Sequence, residues 1–271
     1  MELLGLIAGG GAYPLLLARA ARARGVRQLV AVAIENETSP EIAQLANHVE
    51  WIKVGQLGRL ISAFTSRGVH DAIMAGQIAP KNLFRDIRPD LRAMALLARL
   101  RERNAETIFG AIADELQKDG VKLLPATTFM DDYLAPVGPL TKRKPSAEQE
   151  QDIAFGLKIA KGVSAFDIGQ TVVVKNGTVL AVEAIEGTDE CIRRGGTLAG
   201  DSGGAVVVKV TKPNQDMRFD VPVIGARTIE SCAAGRIAAL AVEAGRTLML
   251  DKDTVLAAAE RAKLVIAGVN F

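Results

Sequence analysis

Two short segments of the chain concentrate side chains that could do chemistry. Val179 through Asp189 (VLAVEAIEGTD) ends an apolar run with Glu183, Glu186 and Asp189 inside seven residues. Gly187 allows a turn there, and Thr188 is a residue type that caps a following helix. Mg²⁺ takes few protein carboxylates, keeps several waters and fills its shell with phosphate oxygens. Clustered carboxylates of this kind therefore suit Mg²⁺-assisted phosphate chemistry, with Glu183, Glu186 and Asp189 as candidate ligands. A solvated acidic loop followed by a helix cap accounts for the same residues. The second segment, Lys212 through Pro222 (KPNQDMRFDVP), offers Lys212 and Arg218, the amides of Asn214 and Gln215, and the carboxylates of Asp216 and Asp220. Cations there could neutralise phosphate charge, and a carboxylate could hold a metal or place a water. A charged loop between strands has the same composition.

A third candidate is Gly9-Gly10-Gly11-Ala12-Tyr13-Pro14, between an apolar run and a helical stretch. Glycines allow close backbone approach, and exposed helix N–H groups favour a phosphate. The pattern is not the full dinucleotide fingerprint, because Pro14 stands where the third glycine belongs. Pro14 itself suits a first helical turn, where a missing N–H costs nothing. Glu35 follows the second apolar run, where NAD enzymes place a ribose-binding acid. Phosphate binding, NAD(P) binding and a purely structural turn all remain open on these residues. Gly76 and Gln77 end another short strand, at an edge where open α/β sheets bind ligands; a plain strand-to-loop turn reads equally well.

The elements that must position these residues alternate. Leu3–Ala8, Gln28–Ile34, Val49–Val54, Asp71–Ala75 and Val121–Leu124 read as strands, with helical patterns through Arg24 and over Gln56–Arg67, Pro89–Arg103 and Ala105–Lys118 between them. Such alternation predicts a parallel sheet covered on both faces. Residues 135–146 hold Pro136, Pro139, Pro145 and the run Lys142-Arg143-Lys144, a composition that disfavours helix and sheet interiors. We read them as a linker between an N-terminal Rossmann-like domain, 1–134, and a C-terminal mixed α/β domain, 147–271. The second half opens with a helix, Ala147–Lys161. Asn176-Gly177 then joins Gln170–Lys175 to Thr178–Glu183, a strong hairpin signal. Strands are expected at Ala205–Val210 and Val221–Ile224, an alanine-rich helix at Arg227–Glu243, a strand at Arg246–Leu250, a helix at Asp251–Ala262 and a last strand at Leu264–Ala267.

Composition narrows the classes. With 271 residues the chain can bury a large core. A net charge of +2 and 4% aromatics give no footing for nucleic acid as partner. Cys191 and Cys232 form no metal-ligand spacing, and His48 and His70 are the only histidines, so a zinc or di-iron centre is not expected. Glu2 leaves no basic leader, Gly9–Gly11 and Pro14 interrupt the apolar start, and no apolar span approaches the ~20 residues needed to cross a bilayer. The expectation is a cytoplasmic protein, with contact at the inner-membrane surface left open.

Taken together, Leu6-Ile7-Ala8-Gly9-Gly10-Gly11, Asp167-Ile168-Gly169-Gln170, VLAVEAIEGTD (179–189) and QDMRFDVPVIG (215–225) resemble one family in order and separation: the LpxI-type UDP-2,3-diacylglucosamine pyrophosphatases. The similarity runs from about residue 3 to about residue 269. It implies two α/β domains with the active site in the cleft between them, a homodimer, and Mg²⁺-dependent hydrolysis of UDP-2,3-diacylglucosamine to UMP and 2,3-diacylglucosamine 1-phosphate (lipid X) in lipid A synthesis. The family's essential aspartate matches Asp220. The expected site thus comprises Asp220 as catalytic residue, Asp220 with Glu183, Glu186 and Asp189 around Mg²⁺, and Gly9, Gly10, Gly11, Gly76, Gln77, Gly187, Thr188, Lys212, Gln215 and Arg218 as substrate contacts. One departure stands out: the family commonly has Gly-Asp-Asp where this chain has Asn104-Ala105-Glu106, so one carboxylate is missing and the other lengthened. Two other readings use the same residues. An NAD(P)-linked oxidoreductase would show energy transfer from tryptophan to nicotinamide. A non-catalytic lipid or nucleotide sensor would show no turnover with Mg²⁺.

Overall fold

A computed structural model describes residues 1–78, 89–102 and 104–270. The chain divides into two compact units, one made of 1–131 with 216–220, the other of 132–215 with 221–271.

The first unit is built on a five-stranded parallel sheet. Its strands are β1 (Leu3–Ala8), β2 (Gln28–Ile34), β3 (His48–Ile52), β4 (Asp71–Ala75) and β5 (Lys122–Leu123), in the order β3-β2-β1-β4-β5. Helices α1 (Tyr13–Ala23), α2 (Ile42–Leu45), α3 (Leu57–Thr65), α4 (Leu91–Arg99) and α5 (Ala105–Lys118) accompany it. Ile7, Val30, Val32 and Ile34 alternate onto one face and meet Leu60, Phe64, Leu96 and Leu116 of α3, α4 and α5. Alternation along a strand gives the other face to Leu4, Leu6, Ala31 and Ala33, which are fully buried, as are Leu17 and Ala21 of α1. The sheet order reverses between β1 and β4, the topological switch point where open α/β sheets bind ligands beyond the carboxyl ends of the strands. The helix expected over Pro89–Arg103 forms as α4, capped by Asp90, whose side chain accepts from Ala93 N; Arg103 lies outside the described residues.

The second unit carries a six-stranded mixed sheet. It contains β6 (Gly138–Pro139), β7 (Thr171–Lys175), β8 (Thr178–Val182), β9 (Val206–Lys209), β11 (Ala239–Glu243) and β13 (Val265–Val269), ordered β6-β13-β11-β9-β7-β8. A separate pair joins β10 (Val223–Ile224) to β12 (Leu248–Met249). Strands β9, β11 and β13 run parallel, while β7 is antiparallel to both β8 and β9. Helix α6 (Ala147–Ser164), started by a Ser146–Gln149 capping box, covers the face with Val172, Val174, Val206 and Val208. Helices α7 (Thr188–Leu198), α8 (Ala226–Ala234) and α9 (Lys252–Arg261) cover the other, with Val173, Val207, Leu240 and Val242. The Asn176-Gly177 hairpin forms as expected, and the Asp152 carboxylate of α6 accepts from both turn amides, at 2.9 and 2.7 Å.

Two expectations differ here. The alanine-rich helix expected over Arg227–Glu243 stops at Ala234, and Ala239–Glu243 is instead the strand β11. Alanine favours helix locally, but Ala239–Val242 are buried between β9 and β13, so sheet pairing outweighs propensity. The proline-rich stretch 135–146, read as a linker, is woven into the second unit. Ala135 is buried in its core, β6 pairs with β13, and Ile266 N donates to Thr141 Oγ1 at 3.1 Å. Proline is tolerated because β6 is a two-residue edge strand.

Candidate active site

At the switch point of the first unit, the loops after β1 and β4 are locked together. Gly9 N donates to Ala75 O at 2.8 Å, Gly10 N donates to Gln77 O at 2.7 Å, and Gln77 N donates to Gly10 O at 3.2 Å. A Cβ on Gly9 would lie 2.8 Å from the Gln77 carbonyl oxygen, and one on Gly76 would lie 2.7 Å from the Gly10 carbonyl oxygen. Gly76 also has φ +95°, a conformation glycine adopts without steric cost. Glycine at these positions is thus explained by backbone packing, and the Gly9 and Gly10 N–H groups bond to Ala75 O and Gln77 O. Gly11, φ +85°, stands in open space just before α1, whose first turn has Pro14 and no side-chain cap. The Tyr13 hydroxyl, buried, donates to the Ala126 carbonyl and ties α1 to the loop after β5; burial pushes its pKa well above the ordinary value of 10.0.

Residues 216–220 come from the second half of the sequence but belong to the first unit. Phe219 packs against its core, with its ring 5.8 Å from that of Phe109, and Ala126 N donates to Met217 O at 2.7 Å. Asp216 turns the segment: its backbone oxygen accepts from Asp220 N at 3.0 Å, and its carboxylate accepts from Arg218 N and, in a fork, from Arg218 Nε and Nη2 at 2.7–3.1 Å. The Arg218 guanidinium holds the Asp216 carboxyl below the usual carboxylate range. Asp220 is half-buried at the end of this turn. Asp216, one of the two carboxylates that the sequence offered for a metal or a water, instead fixes Arg218, which is an ion-paired cation here and not an open one.

The second unit gathers its site residues at the carboxyl end of β8 and β9. Glu183 follows β8, and Glu183 N donates to Thr171 O at 2.8 Å; Thr171 is in turn the register partner of Lys209 at the end of β9. The Glu183 carboxylate accepts from Thr188 Oγ1 at 2.8 Å and from Gln170 N at 3.3 Å. Gly169 backs the same residue so closely that a Cβ there would overlap the Glu183 carbonyl. Lys209 Nζ donates to Thr188 Oγ1 at 2.8 Å. Thr188 was expected to cap α7; Gly187 takes the cap position without a side-chain bond, and the Thr188 hydroxyl links Lys209 to Glu183 instead. Lys212 is paired with Asp167, and Gln215 Oε1 accepts from Lys212 N at 2.7 Å.

Glu183, Glu186 and Asp189, expected around Mg²⁺, each have partners of their own in the second unit. Glu186 bonds Arg194 at 2.5 Å and Ala184 N at 3.0 Å. Asp189 bonds Arg227 at 2.7 Å and faces Ser231 Oγ at 3.3 Å. Among the described residues no three His, Cys, Asp or Glu side chains converge on a metal position. The reason is local: three-residue spacing aligns side chains on a helix, but 183–187 is a turn and only Asp189 is helical. Both cysteines are buried, with burial pushing Cys191 up to about 12 and Cys232 upward, so neither is a thiolate nucleophile.

Comparison with known proteins decides the family. The LpxI N-terminal domain matches residues 3–133, and the LpxI C-terminal domain matches 136–267. The whole chain is 33% identical to a Caulobacter vibrioides protein named UDP-2,3-diacylglucosamine pyrophosphatase LpxI, covering 98% of that protein. The chain belongs to the LpxI family. Two solved structures align at much lower identity. The biotin carboxylase subunit of pyruvate carboxylase aligns at 15% identity and TM-score 0.28, over 64% of this chain and 35% of its own. N5-carboxyaminoimidazole ribonucleotide synthetase from Thermotoga maritima aligns at 13% and 0.26, over 69% and 42%. Neither likeness carries an argument. Within the LpxI framework, the 216–220 segment falls inside the C-terminal domain match, yet packs with the first unit. The Asn104-Ala105-Glu106 departure also acquires a local reason: Asn104 caps α5, its Oδ1 accepting from Thr107 N at 2.9 Å, and Glu106 sits in the helix's first turn, where a negative charge is favourable.

Proposed function

We propose that this protein hydrolyses the pyrophosphate bond of UDP-2,3-diacylglucosamine, releasing UMP and 2,3-diacylglucosamine 1-phosphate (lipid X), and that it requires Mg²⁺. The full-length similarity to a protein of that name carries the reading. In it, Asp220 is the carboxylate that orients the attacking water and accepts its proton, from a backbone pinned by Asp216 and Phe219. Gly9, Gly10 and Gly76 contribute backbone without side chains, which a nucleotide can approach closely, Gln77 adds its amide beside them, and Gly11 leads into the uncapped first turn of α1. Gly187, Thr188, Lys212, Gln215 and Arg218 are the remaining substrate contacts. The four-carboxylate cage is not part of the proposal. Mg²⁺ commonly enters such sites on substrate phosphates with one or two carboxylates, and when bound it neutralises diphosphate charge.

The substrate's two acyl chains call for apolar surface. Phe166, Ile168 and Ile185 are exposed on the two loops that meet at Gly169 and Glu183. We assign the chains to that surface, and the enzyme to the cytoplasm as a homodimer that meets its lipid at the inner-membrane face; among the described residues no helix is long and apolar enough to cross a membrane. The test is incubation with UDP-2,3-diacylglucosamine or with UDP-N-acetylglucosamine, each with Mg²⁺ and with EDTA, followed by UMP detection. UMP is expected from the diacyl substrate with Mg²⁺ alone. Equal release from both substrates would sink the lipid assignment, and full activity in EDTA would sink the metal.

A further inference from the structure

The second unit holds two lysines at the same end of its sheet, half-buried Lys161 and buried Lys209, and they are treated differently. Lys161 of α6 has a counter-charge: its Nζ donates to Glu243 Oε2 at 2.7 Å, to Thr211 O at 3.0 Å and to Thr211 Oγ1 at 3.2 Å. Lys209 is 8% exposed, and among the described residues its ammonium makes one hydrogen bond, to the Thr188 hydroxyl. Among the described residues, no carboxylate lies within 4.0 Å of it. An ammonium has three donors and is costly to bury without an opposite charge. Its neighbours do not remove the need. Glu183 is one hydroxyl further on and already accepts from Thr188 Oγ1 and Gln170 N. Glu186, Glu190 and Asp189 are taken by Arg194, Arg193 and Arg227. The Cys191 thiol is neutral, and Thr171 Oγ1 lies 3.4 Å from Thr188 Oγ1. Lys209 also points at the first residue of the eleven-residue α7, whose N-terminus is itself a positive pole. Two positive ends held together beside one hydroxyl make a seat for an anion.

We propose that Lys209 is a substrate contact, its ammonium holding one phosphoryl group of a diphosphate. The assignment rests on the pyrophosphatase reading for the identity of the diphosphate, but on geometry alone for the anion. It differs from the Lys212 and Arg218 contacts, which have carboxylates of their own. The experiment is calorimetric titration of the full chain with inorganic pyrophosphate in EDTA, so that protein cations and not a metal are read, on wild type, Lys209→Arg and Lys209→Met. Loss of one charge-assisted contact is expected to weaken pyrophosphate binding at least about tenfold in Lys209→Met, with Lys209→Arg intermediate. Affinity within twofold of wild type in Lys209→Met, with only the melting temperature lowered, would overturn the proposal and leave Lys209 a structural tie to α7. Should Lys209→Met fail to fold, the Lys209 Nζ resonance of the wild type, assigned with Lys209→Arg, must move on pyrophosphate addition; an unmoved signal overturns the proposal equally. Pyrophosphate binding without turnover of UDP-2,3-diacylglucosamine would refute the substrate reading while supporting the anion seat.

Discussion

The carboxyl edges of the two sheets are built from different materials. In the first unit the edge is backbone: Gly9 bonds to Ala75, and Gly10 and Gln77 bond to each other, all through main-chain groups. In the second it is side chain: Glu183, Thr188 and Lys209 form one chain of hydrogen bonds, and Lys161, Thr211 and Glu243 form another. This edge tolerates no side chain at Gly9 or Gly76, because a Cβ there collides with a main-chain atom that cannot retreat. A side-chain edge can lose one member and keep its shape while changing its charge. Substitutions in the first are therefore expected to act on stability, and in the second on binding and pH response. The segment 216–220 mixes the two, since a packed backbone turn presents the carboxylate of Asp220.

That segment gives the largest expected effect. Asp220→Ala leaves Phe219 and the Asp216 turn in place, so the variant should fold normally and lose at least about 10²-fold in kcat, as for one lost acid–base or electrostatic group. Circular dichroism and steady-state kinetics check both halves of the statement, and kcat near wild type would remove Asp220 from catalysis. Next in size, Gly76→Ala places a Cβ against Gly10 O at positive φ and should cost about 2 kcal/mol of stability, whereas Gly11→Ala, at positive φ in open space, should cost about 1 kcal/mol. Equal denaturation midpoints for the two would break the contrast between packing and strain.

The smallest effect is electrostatic. Burial pushes the Glu243 carboxyl up, but hydrogen bonds from Lys161 and Thr211 outweigh it and hold its pKa below the ordinary 4.5. A carboxyl depressed in the folded state stabilises above its unfolded pKa, and that stabilisation is lost as pH falls through the folded pKa. Acid unfolding of wild type should therefore steepen below about pH 4.5. Glu243→Gln should flatten that limb and cost about 1–2 kcal/mol at neutral pH. An unchanged acid limb would show that the Lys161–Glu243 pair does not control it.

Much of the fold was legible because its signals are local. Alternating apolar runs announce strands, Asn176-Gly177 announces a hairpin, and glycine after β1 announces a tight turn. The error at 235–243 is equally instructive, since alanine-rich β11 carries a helix former's composition and becomes a strand only through its neighbours. The site was legible in part. VLAVEAIEGTD holds Glu183 and Thr188, which the fold bonds to each other, yet among the described residues its three carboxylates at three-residue spacing do not converge, because the chain there turns before it coils. Lys209 went unnoticed, although a lysine closing the apolar run Val206-Val207-Val208 is a charge at the end of a buried strand.

By itself, then, the sequence determined the element types, the parallel character of the first sheet and the family to which the chain belongs, because periodicity, turn chemistry and long exact motifs are properties of neighbouring residues. Tertiary structure alone decided which charges are spent on partners and which are not. Arg218 is taken by Asp216, Lys212 by Asp167 and Lys161 by Glu243, while Lys209 meets a hydroxyl. It also decided that Asp216–Asp220 packs with the first unit's core. Pairing of this kind depends on distance in space, and residues 82 positions apart such as Lys161 and Glu243 leave no trace of it in their local sequence.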